Sequence, residues 1–208
     1  MTTTDVWTTV HAEREALADD LRTISADQWA TPSLCSDWTV RDVLAHMTAT
    51  AEITPASFFA KLVGSGFSFS RLQAKDITRT LGTSPADTLA RFQAATGLTS
   101  RPPGPVDTVL GETIVHGEDI RRAIGIQHTY PTDALVRAAD FFKGSNLLLG
   151  TKNRITGLSL RATDTDWRHG SGPEVAGPIL ALLMAMTGRK AELDELTGDG
   201  VSTLRSRP

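Results

Sequence analysis

The stretch GETIVHGEDI, residues 111–120, places a carboxylate and an imidazole four residues apart in an amphipathic pattern. At roughly 100° per residue, Glu112 and His116 share one helix sector with three apolar side chains. These are Val109, Ile120 and Ala123. A carboxylate is seldom buried without a partner, because an unpaired charge in a low dielectric is costly. The stretch therefore predicts a helix whose inward side needs a compensating group, either an internal salt bridge or a metal ion.

The helix that contains this stretch is expected over about Asp107 to Ala123. The breaker RPPGP at 101–105 precedes it, and Gly125 follows it. Three charged side chains of the same helix are predicted to point outward: Glu118, Arg121 and Arg122.

Three further segments show helical periodicity, so the chain has the four principal helices of a bundle. The first runs from Asp5 to Ile24, with Arg14 interrupting its apolar stripe. The second starts at Thr39, where Thr39 and Asp42 form a capping-box pattern, and continues into the fifties with Pro55 as a kink. The third, Ser70 to Ala95, is one broken helix or two short ones.

The pattern changes after about residue 150, which predicts a second domain. A helix from Thr132 to Leu149 comes first, and the alternation of Leu158, Leu160 and Ala162 then indicates a strand. The apolar run from Ile179 to Met186 predicts a buried helix. We therefore expect a mainly α fold, with a helical bundle at 1–150 and a small α+β domain at 151–208.

Composition and charge limit the classes of partner and metal ligand that we expect. The 208 residues carry a net charge of −3 with interspersed signs, which does not favour nucleic acid or an anionic membrane. The longest apolar run is too short to span a bilayer, and MTTTDVW lacks the features of a secretory signal, so a cytoplasmic protein is expected. The single cysteine, Cys35, excludes an internal disulfide and a cysteine-rich zinc site. Any metal must be held by histidine and carboxylate.

His46 is the best candidate for a third ligand, because it lies within the second predicted helix beside Val43 at the edge of an apolar stripe. The other histidines occupy a charged run, a loop and a Gly-rich turn: His11, His128 and His169. With Glu112 and His116, His46 gives a His2Glu set that leaves one coordination position open, as in catalytic zinc sites. Asp119 is placed to hold a ligand imidazole through its second nitrogen. The alternative is a Glu112–His116 pair that interacts with itself or with water.

Three stretches resemble one known family. They are WATPSLCSDWTVRDVLAHM at 29–47, ETIVHGEDIRRAIG at 112–125, and the terminal GSGPEVAGP and TGRKAELDELTGDG between Gly170 and Gly200. Together they are similar to the mycothiol-dependent maleylpyruvate isomerase family of actinobacteria, which itself resembles the DinB-like four-helix metalloproteins. The likeness covers nearly the whole chain and is loosest between about Ile53 and Arg101.

The resemblance implies a DinB-like four-helix bundle and a divalent metal, usually zinc, on residues that match His46, Glu112 and His116. It also implies mycothiol as the thiol cosubstrate and a small electrophile as substrate. DinB-like relatives often have a histidine where Glu112 stands, so the carboxylate favours the mycothiol-dependent branch. The expected function is a mycothiol-dependent transferase or isomerase.

Two other functions are compatible with the same ligands: a metal-binding protein without turnover, in a stress or binding role, and a metal hydrolase with Asp119 as base. Thiol-dependent turnover, metal binding alone, and hydrolysis without thiol would distinguish the three. The oligomeric state is open, and a homodimer is one possibility.

Several further residues have two interpretations. Arg168 is a candidate catalytic residue that reaches an anionic substrate, as is Arg189, and the alternative for each is an ordinary surface arginine. Cys35 is either a small buried residue, which we favour, or a thiol activated by a helix N-terminus. The four tryptophans are expected to serve packing.

Overall fold

The computed structural model describes residues 1–35, 37–146 and 149–207, which form two compact units. The first unit is Met1–Thr129 and the second is Tyr130–Pro208. This division lies about twenty residues before the predicted boundary at 150, because the helix that begins at Thr132 packs against the apolar helix Ile179–Met186 of the second unit.

The described part of the first unit contains seven helices. They are α1 (Thr3–Asp20), α2 (Ala26–Ala30), α3 (Val40–Glu52), α4 (Pro55–Gly64), α5 (Phe69–Thr80), α6 (Pro85–Ala95) and α7 (Asp107–Ala123). Helix α7 packs against α1 and α3, and α3 also packs against α5 and α6. Apolar side chains from these helices form one core, to which Leu17, Leu44, Phe92 and Ile120 contribute fully buried residues. The predicted helical bundle is present.

Local sequence signals explain where several helices begin. Thr39 accepts a hydrogen bond from the Asp42 backbone N–H at 3.2 Å, and Asp42 accepts one from the Thr39 N–H at 2.9 Å, so the predicted capping box is confirmed. The same device starts α2, where Ser25 and Gln28 cap each other. The short helix α2 was not predicted, although its capping box is visible in the sequence.

Pro55 begins a new helix instead of kinking α3. Helix α3 ends at Glu52, and α4 starts at Pro55 with Thr54 as its N-cap. Proline favours this place because its missing N–H has no helical acceptor in the first turn. The broken third segment is confirmed as two helices, α5 and α6, with Pro85 opening the second.

The prediction that the charged side of α7 faces outward is wrong. Glu118 and Arg121 are buried, and Arg122 is half-buried. Arg121 Nε donates to Asp20 Oδ2 on α1 at 2.7 Å, and Arg122 Nε donates to Glu118 Oε2 at 2.8 Å. Helix α1 covers α7 on this side, and the charges stay buried because each has a partner of opposite sign.

The second unit combines short helices with a three-stranded sheet. Its described elements are α8 (Thr132–Lys143), α9 (Thr151–Ile155), β1 (Ser159–Ala162), β2 (Arg168–Gly170), β3 (Glu174–Gly177), α10 (Ile179–Met186), a 3-10 helix (Lys190–Glu195) and α11 (Val201–Ser206). The strand order is β2-β1-β3, with β1 antiparallel to β2 and parallel to β3. A mainly α fold with a small α+β part is therefore confirmed.

Two details of this unit differ from the prediction. Helix α8 ends at Lys143 instead of Leu149, and residues 147–148 of the predicted extension lie outside the described residues. Helix α11 was not predicted, because VSTLRS is too short for a clear period. None of the helices in the described ranges combines the length and the apolar character that a membrane span requires.

Candidate metal centre

Three of the predicted site residues meet between α3 and α7. His46 projects from α3, and Glu112 and His116 project from successive turns of α7. One ligand atom from each lies within 4.8 Å of the other two. Tetrahedral bonds of about 2.0–2.2 Å place ligand atoms roughly 3.3–3.6 Å apart, so shifts of about 1 Å would close this set on one ion. The two imidazoles and the carboxylate suit zinc or a similar divalent metal.

Glu112 and His46 are in direct contact. His46 Nε2 lies 2.9 Å from Glu112 Oε1, and both side chains are mostly buried, with exposed fractions of 11% and 18%. The rings of His46 and His116 meet edge to face, with centroids 5.0 Å apart. An internal pair of Glu112 with His46 and a metal site would use the same atoms. The salt bridge and the metal ion, which the sequence left as alternatives, therefore fall at one place.

Glu112 is held in its ionised form. Burial alone would raise its pKa, but a hydrogen bond with His46, electrostatic attraction by His46 and His116, and a hydrogen bond with Thr50 outweigh that effect and lower the pKa below its ordinary value. A carboxylate that is ionised at neutral pH is the form that binds a cation.

Asp119 orients His116. Its carboxylate is completely buried, and Oδ2 lies 2.9 Å from His116 Nδ1. This contact favours a proton on Nδ1 and leaves Nε2 with its lone pair for a metal. The contact is the one that the spacing predicted for Asp119.

Trp38 lies against both histidines. Its ring centroid is 4.9 Å from that of His46 and 6.2 Å from that of His116. The loop that carries it is fixed to α7 by a hydrogen bond from the Leu34 N–H to the Asp119 carbonyl, at 3.2 Å. Sequence reasoning assigned the tryptophans to packing and missed this contact. The available signal was its position beside the N-cap of the helix that carries His46.

Arg14 is a buried cation in electrostatic contact with Glu112. Only 2% of this residue is exposed, and its Nη1 donates to the Leu98 carbonyl at 3.1 Å. Burial lowers the pKa of Arg14 to about 10, and the negative charge of Glu112 partly opposes the shift. In the sequence Arg14 only interrupted an apolar stripe, and its role in the charge balance of the site was missed.

Cys35 also lies near His116 and Asp119. Its sulfur, a His116 nitrogen and an Asp119 oxygen lie within 4.8 Å of one another. The residue is half-buried and packs against the core of the first unit. It is thus less buried than the favoured prediction of a small core residue.

Arg168 and Arg189 belong to the second unit. Arg168 lies exposed on β2, where its positive charge is one of the influences that lower the pKa of Glu174. Arg189 is buried, and its Nη1 donates to the Thr187 carbonyl at 2.9 Å, which makes it more than an ordinary surface arginine. A substrate role for either residue stays a prediction.

Fold and site together define a helical bundle with a candidate metal centre and a small C-terminal α+β part. Residues 10–102 match the family described as "Mycothiol maleylpyruvate isomerase N-terminal domain". The family resemblance found in the sequence is therefore confirmed, and the match is confined to this segment. The match includes α3 with His46 and ends before α7.

Solved structures of a mycothiol-dependent maleylpyruvate isomerase are similar in fold to nearly the whole chain. The crystal structure of a mycothiol-dependent maleylpyruvate isomerase matches with a TM-score of 0.64 and 16% identity, covering 96% of this chain and 93% of the other. A histidine-to-alanine mutant of such an isomerase matches equally well, with the same TM-score and identity. At this identity the likeness establishes the fold alone. No curated protein sequence matches the chain significantly.

Proposed function

We propose that this chain is a mycothiol-dependent transferase or isomerase that acts on a small electrophilic substrate. The observation that carries the proposal is the convergence of His46, Glu112 and His116 from two helices of a bundle whose N-terminal segment matches the mycothiol maleylpyruvate isomerase domain. Zinc is the proposed metal, although other divalent ions fit the same donors. The identity of the electrophile is left open.

The three donors fit a catalytic type of metal site. Two neutral imidazoles and one carboxylate would leave a fourth position for an exogenous ligand. A zinc ion bound there would stabilise the thiolate form of a thiol, which is the nucleophilic form. Since the chain has a single cysteine, a cosubstrate thiol is the natural nucleophile.

The surrounding residues of the chain have supporting roles. Asp119 accepts the Nδ1 proton of His116 and holds that ring in orientation. Trp38 lies over both imidazoles and limits the access of water to them. Glu112 provides the one negative charge of the donor set, and buried Arg14 adds a positive charge near it. Arg168 remains a candidate for binding an anionic group of the substrate.

The ligand assignment is tested by metal content. Elemental mass spectrometry on the purified chain should find about one zinc per chain. His46→Ala and Glu112→Ala should lose the metal while keeping the helical circular dichroism spectrum. His11→Ala is the matched control, because it removes a half-buried histidine of α1 and should leave the zinc content unchanged. A chain that is empty as purified and takes up no zinc on reconstitution would overturn the assignment.

Turnover distinguishes the functions that share these ligands. The zinc-loaded chain should consume a small electrophile only when mycothiol is present. Metal binding with no turnover across a panel of electrophiles would indicate a binding protein instead, and hydrolysis without thiol would indicate a hydrolase. A cytoplasmic location and a homodimer stay predictions.

A further inference from the structure

We propose that Cys35, His116 and Asp119 form a second coordination set, which takes a thiophilic metal ion through the Cys35 sulfur. This set offers sulfur, nitrogen and oxygen donors within 4.8 Å of one another. It shares His116 with the first set but draws its other two ligands from different places. The proposal does not depend on thiol turnover or on the function proposed above.

The position of the sulfur separates the two sets. His116 Nδ1 lies 2.9 Å from Asp119 Oδ2, so an ion held by Asp119 and Cys35 would meet the His116 ring at Nδ1. His46 and Glu112 form a group with His116 that does not include Cys35 among the described residues. Cys35 is therefore placed for an ion beside Asp119, and not as a fourth ligand of the first set.

The loop that presents Cys35 is well fixed. Its neighbour Leu34 donates its backbone N–H to the Asp119 carbonyl, which ties the loop to α7 at the ligand itself. The Cys35 backbone N–H donates to Ser33 Oγ at 3.1 Å, and the Trp38 N–H donates to the Cys35 carbonyl at 3.2 Å. The N–H and the carbonyl of Cys35 are thus both held by hydrogen bonds.

The chemistry of the donors selects the ion. Thiolate is a soft ligand that favours zinc and softer metal ions, whereas the first set has only imidazole and carboxylate ligands. Binding at the second set would release the thiol proton to solvent, and the neutral His116 ring would carry its proton on Nε2 instead of Nδ1. We expect a soft ion such as Cd²⁺ to use the Cys35 set, so that the two sets give His116 two coordination modes.

A Cd²⁺ titration of the metal-free chain tests this directly. The unsubstituted chain should develop a sulfur-to-cadmium charge-transfer band in the ultraviolet. Cys35→Ser should abolish the band, and Asp119→Asn should weaken Cd²⁺ binding about tenfold or more. His46→Ala should keep the band, because it breaks only the first set. If His46→Ala fails to fold, Glu112→Gln replaces it, because this substitution preserves the side-chain shape. The charge-transfer band should persist in this variant too.

Alkylation gives a second measurement without any substitution. Saturating Cd²⁺ should protect Cys35 of the native chain from iodoacetamide, as followed by intact mass. A native chain with no charge-transfer band and no protection would overturn the proposal. A band that disappears in both His46→Ala and Glu112→Gln would also overturn it, because the sulfur would then bind the ion of the first set. Either failure leaves the zinc-content test of His46 and Glu112 unaffected.

Discussion

Helices α7 and α10 are both buried, but they differ in the charges that they bury. Helix α10 reads ILALLMAM, and seven of its eight residues are buried apolar side chains. Helix α7 buries Glu118, Asp119 and Arg121 as well as its apolar residues. Both helices are stabilised by apolar area removed from water, and in α7 each buried charge also has a partner, which avoids the cost of leaving it unpaired. A buried helix need not be an entirely apolar one, and the helix with buried charges is the one that carries the candidate ligands Glu112 and His116.

The largest expected effect is in the apolar helix. Leu182 is completely buried, so Leu182→Ala should lower the free energy of unfolding by about 2–5 kcal/mol through lost burial and a cavity. Leu180 is only half-buried on the same helix, and Leu180→Ala is the matched control with a smaller expected loss. Urea unfolding measures both. Equal losses at the two positions would contradict the account of α10.

The next effect tests charge pairing on α7. Arg121 is 1% exposed and bonded to Asp20, so Asp20→Ala should cost about 2 kcal/mol by removing a charged hydrogen-bond partner from a buried guanidinium. Asp19 is the adjacent control, because its pair with Arg22 is exposed. Asp19→Ala should leave stability nearly unchanged. If the two substitutions were equivalent, pairing would not explain why the charges of α7 are buried.

A third prediction concerns the metal. Asp119→Asn keeps the size of the side chain but weakens its contact with His116 Nδ1, so zinc affinity should fall about 10–100-fold. Competition with a chromogenic chelator measures the zinc affinity. The exposed Asp27→Asn on α2 is the control, and its affinity should match the unsubstituted chain. An unchanged zinc affinity in Asp119→Asn would show that Asp119 does not support the metal centre.

The fourth prediction is a pH dependence of the metal-free chain. The folded-state pKa of Glu112 lies below its ordinary value of 4.5, so its ionised form adds stability above that pH. This contribution should be lost as the pH falls through the folded-state pKa. The difference in unfolding free energy between the native chain and Glu112→Gln should therefore be constant near neutral pH and shrink in acid. A difference that grew on acidification would reverse the sign of the shift.

Local signals in the sequence were sufficient for much of the fold and for the donor set. Helix α7 begins at Asp107 and ends at Ala123 as its period predicts, and the capping box at Thr39 fixes the start of α3. The approach of His46 to Glu112 followed from inward sectors on two helices of one bundle. The helix bounds and the capping box depend on neighbours a few residues apart, which is what a sequence pattern records, whereas the approach of His46 to Glu112 also requires that α3 and α7 pack together.

The remaining features depended on residues far apart in the chain. The burial of Arg121 requires Asp20, about a hundred residues earlier, and the contacts of Trp38 and Cys35 depend on how one loop is tied to α7. The division between the units at Thr129 likewise depends on α8 packing against α10. The sequence by itself determined most of the helices, the cap at Thr39 and the faces that carry the three candidate donors, because these follow from the spacing of neighbouring residues. Only the tertiary structure decided which charges are paired and what surrounds His116, because pairing across the core is a property of packed surfaces and not of any single segment.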